Sequence, residues 1–594
     1  MKDILKVTAG TLLAFVICGV FFTVMTILMI AGLAATDSTP SLEDKSVLHL
    51  KLNGALTERS SDENPLNLIM GGSDEAGLSL VDVKKALKLA AANDEIKGVY
   101  LDCFVLSADF AMAQELRQAL VDFKKSGKFI IAYGEGYDQG CYYVASVADK
   151  IMLNPNGLVD WHGIASQPIF YKELADKLGV KFEVFKVGTY KSAVEPFIMT
   201  EMSAANREQV TSYIGSIWKN LVKDVAQSRK LSEDTLNGYA DKNIVALLET
   251  PEFLKMKLVD TLCYADGARE VLHRMAKVDA DEEVNLISAS DLASMMDEPS
   301  DASDKVAVYY ASGEIVDAAA ADVMGLQGEE LIVGSEVVED LDELAKDDDV
   351  KAVVLRINSP GGSANASEQI WHAIQVLKTK KPVVVSMSGM AASGGYYMSC
   401  GANYIFAEPT TITGSIGIFG LIPDFSNFLT QKLGLHFDVV KTNESSDFGA
   451  DGRSFNAMES AAMQNYVNAG YKQFISRVAA GRKMTLEQVD SIGQGRVWTG
   501  EQAIANKLVD KLGTLEDAVA YAAKLAKLKD YDTADYPEPS DWLTDLLDQT
   551  TGDDYVGRKM QSILGEWYKP LIVLRQVETG HYLMARIPYE PNFK

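Results

Sequence analysis

The serine at position 393 lies in a run of small residues that suits a nucleophile. The run is GMAASGGYY (389–397), which follows an apolar, strand-like stretch and opens a helix-like one. Small residues allow a tight turn with the serine side chain at its tip. The N–H of Gly394 would point outward from a helix N-terminus, where an oxyanion is stabilised. The run is not a G-x-S-x-G elbow, which argues against an α/β-hydrolase. A serine that only caps the helix is the common alternative.

A second small-residue turn, SPGGS (359–363), follows the apolar stretch 353–357. Gly361 and Gly362 at a strand end would let the backbone approach a ligand closely, and their N–H groups could supply a second oxyanion donor. A phosphate-binding loop is the competing interpretation. It is disfavoured because no Lys-Ser/Thr pair follows at Walker spacing.

Lys191 is the candidate general base. It lies in VGTYKSAVEPF (187–197), among apolar and small residues just past a strand-like stretch. A lysine in such surroundings loses solvation, and its pKa falls toward values useful to a base. Most lysines are simply solvated, which is the alternative. A serine–lysine pair needs no histidine; His162, near the equivalent turn in the first half, ranks well below Lys191.

The loop TGSIG (413–417) carries a further hydroxyl at Ser415. A small, hydroxyl-rich loop at this place could orient the lysine ammonium. An ordinary glycine-rich turn is the alternative.

These residues lie in a chain that repeats itself. A shift of 254 positions lays 96–164 on 350–418 without a gap, and a shift of about the same size then aligns Lys186 with Lys441. So long a duplication indicates two copies of one domain. The first copy has Gln139 where the second has Ser393, and the second has Ser446 where the first has Lys191. We therefore expect one active site divided between the copies.

Each copy alternates strand-like and helix-like stretches. In the second copy, 350–357, 382–387 and 404–407 predict strands and 364–378 predicts a helix, with another opening at 394–400. This order implies right-handed crossovers and a largely parallel sheet, hence an α/β fold. Long helices are predicted at 203–229 and 457–482.

The predicted domains follow from the repeat and from the composition of the remaining segments. They are an N-terminal anchor and linker (1–45), a first repeat (46–278), an acidic connection (279–304), a second repeat (305–535) and a C-terminal tail (536–594). The connection is expected to be solvated or a surface helix. The tail has a helical pattern at 541–575 and no counterpart in the first repeat, so we interpret it as packing or assembly surface.

Residues 7–36 carry no charged side chain, and a helix of that length is ample for the ~30 Å hydrocarbon core of a bilayer. Lys2 and Lys6 precede the stretch and acidic residues follow it, so the positive-inside rule places both repeats outside the cytoplasm. A cleaved signal peptide is the alternative, but the apolar stretch is longer than a typical signal core of ~7–15 residues.

The composition excludes several classes of protein. A net charge of −27 argues against nucleic-acid binding, which needs basic surface, and against broad adhesion to anionic lipid. The five cysteines and six histidines show no metal-like spacing, so neither a metal site nor another cofactor is expected.

Taken together, the motifs resemble the signal peptide peptidase A family in its long, duplicated bacterial form. The resemblance covers roughly 47–524 and rests on motifs in family order. These are RINSPGGS (356–363), AASGGYY (391–397), TGSIG (413–417), GRVWTG (495–500) and YKSAVEPF (190–197).

The resemblance implies a Clp-protease/crotonase-type fold in each repeat. It makes Ser393 the nucleophile, Lys191 the general base and Ser415 the hydroxyl that holds the lysine, and it places the oxyanion at Gly394 and the Gly361-Gly362 turn. It further implies a homotetramer on the outer, periplasmic face of the inner membrane that hydrolyses signal peptides and other short or unfolded hydrophobic chains through an acyl-enzyme. An inactive membrane scaffold and a thioester hydrolase on the same fold are the alternatives; the serine and lysine argue against the first, and the extracytoplasmic placement argues against an acyl-CoA enzyme.

Overall fold

The computed structural model describes residues 42–59, 77–279, 282–295, 302–318, 331–537 and 584–586, together with Met25. The predicted anchor (apart from Met25) and the helical pattern at 541–575 lie outside these residues. Within the described part of the chain, no helix has the length and apolar character needed to cross a bilayer.

The first repeat is built on a parallel sheet of strand order β2-β1-β3-β4-β5-β7, with β8 also on β1. The first-repeat strands are β1 (Ser46–Thr57), β2 (Leu78–Ser79), β3 (Ile96–Ser107), β4 (Phe129–Gly134), β5 (Lys150–Leu153), β6 (Lys181–Lys186), β7 (Thr261–Leu262) and β8 (Leu286–Ser288). The helices are α1 (Leu80–Ala92), α2 (Phe110–Phe123), α3 (Gln139–Ala145), α4 (Lys172–Leu178), α5 (Glu195–Ile198), α6 (Ala204–Arg229), α7 (Glu233–Lys242), α8 (Thr250–Lys255), α9 (Ala265–Ala276) and α10 (Ala289–Met295). Strand β6 is not part of this sheet.

The second repeat is built in the same way, on the order β18-β16-β14-β12-β9-β20, with β15 on β14 and β19 on β15. Its strands are β9 (Lys305–Ser312), β10 (Glu314–Val316), β11 (Leu331–Val333), β12 (Val350–Ser359), β13 (Gly361–Ser363), β14 (Val383–Ala392), β15 (Tyr404–Ala407), β16 (Ile412–Gly414), β17 (Phe419–Asp424), β18 (Val497–Thr499), β19 (Lys511–Leu512) and β20 (Asp532–Tyr536). The helices are α11 (Gly334–Lys346), α12 (Ala364–Lys378), α13 (Gly394–Ser399), α14 (Ala457–Arg482), α15 (Leu486–Ile492), α16 (Gly500–Ala505) and α17 (Leu515–Ala526). The duplicated α/β architecture is thus confirmed.

The central strands form where the apolar runs are continuous. Every residue of β14 is buried, as expected for a parallel strand covered by helices on both faces. Polar side chains set the helix starts: Ser363 caps α12, and Asn456 with Glu459 forms a capping box on α14. Strand β14 continues to Ala392, beyond the predicted end at 387, because Met390–Ala392 pair with β16.

The predicted acidic connection contributes to the first repeat instead of merely linking the two. Strand β8 pairs in parallel with β1, and α10 buries Leu292 completely. The acidic side chains on this segment therefore flank a short structured element that completes the edge of the first sheet.

A third, mixed sheet joins the two repeats and positions the site. Its order is β11-β10-β13-β21-β17-β6, where β21 is Met584–Arg586. Strand β6 of the first repeat lies antiparallel to β17 of the second over six residue pairs, from Phe419 opposite Lys186 to Asp424 opposite Lys181. This pairing positions the loop that follows β6 against the second repeat.

Candidate active site

Ser393 occupies the turn between β14 and α13 in an unusual backbone conformation. Its φ is 56°, in the left-handed region that is costly for a residue with a Cβ atom. Its N–H donates to the Gly414 carbonyl at 2.9 Å. The side chain makes no capping hydrogen bond to α13. Ser393 therefore stands at a helix N-terminus, but its hydroxyl does not serve as the cap.

Lys191 comes from the first repeat and reaches the hydroxyl of Ser393 in the same chain. The two atoms, Lys191 Nζ and Ser393 Oγ, are 2.7 Å apart. Lys191 Nζ also donates to Ser415, at 3.1 Å from Oγ and 3.3 Å from the carbonyl oxygen. Lys191 is 1% exposed, Ser393 0% and Ser415 2%. Three residues from separate segments thus form one buried cluster.

Burial lowers the pKa of Lys191 from 10.5 to about 7. Loss of hydration is the cause, because removing water destabilises a charged ammonium more than a neutral amine. The Phe419 ring lies beside the amine, with its centroid 5.8 Å from Nζ. A large fraction of the Lys191 side chain is therefore uncharged near pH 7 and able to accept a proton.

Glycines let the lysine approach its partners. Gly495 has φ +78°, and a Cβ atom there would lie 2.6 Å from the Lys191 Cβ. A Cβ atom on Gly417 would lie 3.2 Å from the Lys191 Cδ. The neighbouring Tyr190 N–H donates to the Gln494 carbonyl at 2.8 Å. The lysine loop therefore lies directly on residues 494–495 of the second repeat, and a side chain at position 495 would exclude it.

Two buried polar residues of the first repeat fix the rest of the lysine loop. Glu195 accepts hydrogen bonds from the Ser203 backbone and hydroxyl and from Asn206, at the start of α6. Gln209 donates to the Tyr190 carbonyl at 2.9 Å, and its own oxygen accepts the N–H of Val497 at 3.1 Å. Gln209 thus links α6, the lysine loop and β18 of the second repeat.

The two candidate oxyanion segments lie side by side. A Cβ atom on Gly394 would be 3.2 Å from the Gly361 Cα. Gly361 has φ +101°, and a Cβ atom on Gly362 would be 2.0 Å from the Ile315 carbonyl oxygen. Both positions therefore need glycine. The N–H of Gly361 donates to Ser359 Oγ at 3.2 Å, so this amide stabilises its own turn in the structure described here.

The strand that leads to this turn is held by the first repeat. The Asn358 amide donates to Asp109 at 2.9 Å, and its oxygen accepts the Met390 N–H at 2.9 Å. Arg356, 1% exposed, bonds to Glu115 at 2.6 Å and to Glu58 at 3.0 Å. A buried arginine is stable only when its charge is paired and its donors are used. The acidic side chains of the first repeat therefore fix β12, and with it the glycine turn.

A strand from the C-terminal end of the chain lies across the site. Strand β21 runs antiparallel to β13, with Gly362 opposite Ala585, and its other edge pairs with β17 at Phe419. Strands β13 and β17 thus form the two walls of a slot that holds this extended segment of the chain.

Comparison with known proteins identifies the family. The model for Peptidase family S49 matches residues 122–279 and 375–529, one stretch in each repeat, and the Clp protease model matches 324–411. The chain belongs to peptidase family S49.

Several relatives of known class extend over both repeats. Protease 4 of Salmonella typhi is 40% identical over 525 residues, which is 86% of this chain and 83% of the relative. Protease 4 of Haemophilus influenzae is 34% identical over 88% of this chain and 86% of its own. The chloroplastic serine protease SPPA of Arabidopsis thaliana is 27% identical over 88% and 76%. The chain is therefore a serine peptidase of the long, signal-peptide-peptidase-A type.

In this peptidase the counterpart site of the first repeat is filled by its own side chain. Gln139 Oε1 accepts the N–H groups of His162 and Gly163, each at 3.0 Å. Ser446, the counterpart of Lys191, is exposed. The His162 ring pairs with Asp160 at 2.7 Å and is not among the partners of Ser393. The lysine–serine contact therefore forms at the Ser393 turn of the second repeat and not at the equivalent Gln139 turn of the first repeat.

Sequence reasoning did not assign roles to Gln209, Asn358 or Gly495. Gly495 lies in the motif GRVWTG (495–500), whose glycine was a usable signal for a close backbone approach. Gln209 gives no such signal, because a single glutamine on an amphipathic helix is ordinary. Its partner Val497 lies almost 290 residues away in the sequence, so this contact is visible only in the folded chain.

Proposed function

We propose that this protein is a membrane-anchored serine–lysine endopeptidase that degrades cleaved signal peptides and other short or unfolded hydrophobic peptides. The observation that carries the proposal is the 2.7 Å contact between Lys191 Nζ and Ser393 Oγ in a buried cluster. Neutral Lys191 supplies the base, so no histidine is required.

The reaction has two halves. Lys191 takes the Ser393 hydroxyl proton as Oγ bonds to the substrate carbonyl carbon, and the backbone N–H groups around Gly394 and the Gly361-Gly362 turn stabilise the oxyanion. The C–N bond then breaks, and the Lys191 ammonium gives its proton to the leaving amine. In the second half Lys191 deprotonates a water molecule, which attacks the acyl carbon and releases Ser393. Ser415 holds the amine toward Ser393 throughout.

Substrate binds as a strand in the slot between β13 and β17. Main-chain pairing on both edges gives affinity without demanding a particular side chain, which suits degradation of varied hydrophobic peptides. The chain's own β21 pairs with these walls in the same antiparallel way, which supports a peptide rather than a thioester substrate.

The anchor, at 7–36, places both repeats on the outer, periplasmic face of the inner membrane, where released signal peptides are within reach. Four copies assemble there. The support for this part is the uncharged stretch after two lysines and the resemblance to the long family form. A reporter fused after Lys594 tests it: an enzyme that matures only outside the cytoplasm should be active, and activity of a reporter restricted to the cytoplasm would refute the placement.

Replacement of the proposed nucleophile tests the chemistry. Ser393→Ala should abolish hydrolysis of a fluorogenic hydrophobic peptide and labelling by a fluorophosphonate, with an unchanged melting temperature. Ser399→Ala is the matched control, because Ser399 is equally buried, lies on the helix that follows Ser393, and donates its hydroxyl to the Gly395 carbonyl. Peptide turnover by Ser393→Ala close to that of the control would reject the mechanism.

A further inference from the structure

The loop that carries Lys191 is held on both sides of the lysine by one buried glutamine. Gln209 Nε2 donates to the Tyr190 carbonyl at 2.9 Å and to the Ser192 hydroxyl at 3.0 Å. Its Oε1 accepts the N–H of Val497 at 3.1 Å, and the residue is 2% exposed. The residues immediately before and after the lysine are therefore tied, through a single side chain, to strand β18 of the second repeat.

The duplication shows that this glutamine accompanies the lysine. Helices α6 and α14 are both 26 residues long, and a shift of 253 lays one on the other, with Tyr213 on Tyr466. The same shift places Gln209 on Ala462, which is exposed. The second repeat thus lacks the glutamine as well as the lysine, which Ser446 replaces. A glutamine that served only the packing of this helix would be as useful in the second copy, whereas one that positions the lysine is useful in the first copy alone.

Another set of contacts to the same loop lies nearer to solvent. The Arg496 guanidinium lies over the rings of Tyr190 and Trp498, at 4.7 and 4.5 Å from their centroids. It also pairs with Glu208 at 3.0 Å, but the Glu208 side chain is 55% exposed, and an exposed ion pair contributes little. The hydrogen bonds of Gln209 are buried, so their loss would leave backbone polar groups without water to replace the partner.

An uncharged side chain suits this position. The end of a glutamine both donates and accepts hydrogen bonds without carrying charge. A glutamate there would place an anion beside the loop, stabilise the ammonium form of Lys191 and so oppose a base that must be uncharged. From β6, Lys186 donates to the Lys191 carbonyl at 3.4 Å. A cation on this side, like a neutral amide on the other, does not stabilise the ammonium.

We infer that Gln209 is the positioning residue of the general base: it holds the two neighbours of Lys191 so that the amine stays at the Ser393 hydroxyl and away from water. The inference rests on the proposed function, in which Lys191 is that base. Proton transfer needs the amine within hydrogen-bond reach of the hydroxyl, and a displacement of about 1 Å can slow a reaction roughly a hundredfold. Release of the loop would also hydrate the amine and raise the pKa of Lys191 toward its ordinary 10.5.

Removal of the hydrogen bonds tests this role. Gln209→Met keeps the length of the side chain and should lower kcat for a fluorogenic hydrophobic peptide about tenfold or more at pH 7. KM should be nearly unchanged, because the chemical step and not peptide binding is affected. The rise of activity with pH should move to higher pH, so the deficit should shrink between pH 7 and pH 9. A mere loss of folded protein would not produce this alkaline recovery.

Gln502→Met is the matched control. Gln502 also joins the repeats, since it donates to the Ser212 hydroxyl of α6 at 3.1 Å, while its oxygen accepts the Thr499 N–H at the start of α16. This variant should lower the melting temperature, as Gln209→Met does, but keep the native kcat and pH profile. Gln209→Glu keeps the size and the acceptor for Val497, and it should show the same alkaline shift if the methionine variant does not fold.

The outcomes separate this role from the chemistry on which it rests. A native kcat with an unshifted pH profile in the folded Gln209 variants would overturn the inference. Equal losses of kcat in Gln209→Met and Gln502→Met would also overturn it, because any weakening of the contact between the repeats would then slow the reaction. A native enzyme whose activity does not rise with pH would reject the lysine base itself, and the inference with it.

Discussion

At the scale of single residues, the proposed chemistry depends on an uncharged Lys191. The loss of hydration on burial is sufficient to explain why the pKa of this lysine is low. The pKa of Lys191 falls to about 7 through burial, and no charged neighbour contributes to that shift. A partner carboxylate would oppose the effect, since it would stabilise the ammonium and raise the pKa. The site therefore uses hydroxyl and carbonyl partners, Ser393 and Ser415, which hold the amine without binding its proton tightly.

Activity should consequently rise with pH. The base is active only when deprotonated, so kcat/KM should increase about tenfold per pH unit below the Lys191 pKa and level off above about 7. Lys191→Ala should remove the rise and nearly all turnover. Because the pair acts as a unit, Lys191→Ala/Ser393→Ala should be little slower than either single variant. A flat profile from pH 5 to 9 in the native enzyme, or multiplicative losses in the double variant, would exclude Lys191 as the base.

The same burial should destabilise the folded chain. The folded-state pKa of Lys191 lies below its unfolded value of 10.5, so the unfolded state binds more protons between about pH 7 and 10.5, and the contribution of this residue to stability rises with pH across that window. Replacing the amine by an apolar group of similar length removes the penalty. Lys191→Met should abolish activity. It should also increase the free energy of unfolding at pH 7 by roughly a few kcal/mol, which would be measured as a higher melting temperature.

The control for this stability measurement is Lys186→Met, on the adjacent strand, where no comparable burial operates. The Lys191→Met advantage should shrink as the pH is raised toward 10.5. An advantage that is independent of pH would show that packing, not the buried amine, is its source.

At the scale of elements, local patterns were sufficient for much of the fold. Helix α12 begins and ends as predicted at 364 and 378, and β15 spans the predicted 404–407, because each has a clear apolar period and a capping or turn residue at its ends. The duplication then predicted a divided site. What local patterns could not predict were contacts between repeats. The Asn358–Asp109 bond and the β6–β17 pairing join segments more than 200 residues apart, and nothing in either segment alone specifies the other.

Strand β21 is the element that bears most directly on how substrate reaches the catalytic residues. It occupies the slot in which we propose that the peptide substrate binds, so we expect it to leave before substrate enters. Ala585→Pro should weaken its pairing, because proline lacks a backbone donor and β21 has a strand on each side. Loss of one ladder hydrogen bond, about 1 kcal/mol, should lower the KM for short peptides roughly fivefold with kcat unchanged.

The matched control is Ala585→Val, which keeps the backbone donor and favours a strand. A synthetic peptide with the sequence of residues 578–594 should inhibit the Ala585→Pro enzyme competitively. Equal KM values for the native, proline and valine forms would mean that β21 does not compete with substrate.

At the scale of the whole molecule, the burial of the site decides which substrates can be cut. Lys191 and Ser393 are at most 1% exposed, and in the described part of the chain the strand pairing leaves a place for an extended backbone between β13 and β17. A folded protein would have to unfold a segment locally before that segment could enter the slot as an extended backbone. Such local unfolding is unfavourable by several kcal/mol in a stable domain. An unfolded chain presents such segments without this cost.

The enzyme should therefore distinguish states of one substrate. A small disulfide-bonded domain should resist cleavage while oxidised and be degraded after reduction and alkylation, which unfold it without changing its sequence. When mutations destabilise the domain, its cleavage rate should increase with the fraction of unfolded molecules. Gel densitometry measures the cleavage rate, and denaturant midpoints measure the stability of each mutant domain. Ser393→Ala provides the blank for contaminating peptidases. Equal cleavage of the oxidised and reduced forms would mean that substrates reach Ser393 by a route other than the β13–β17 slot, and would remove the structural reason for sparing folded proteins.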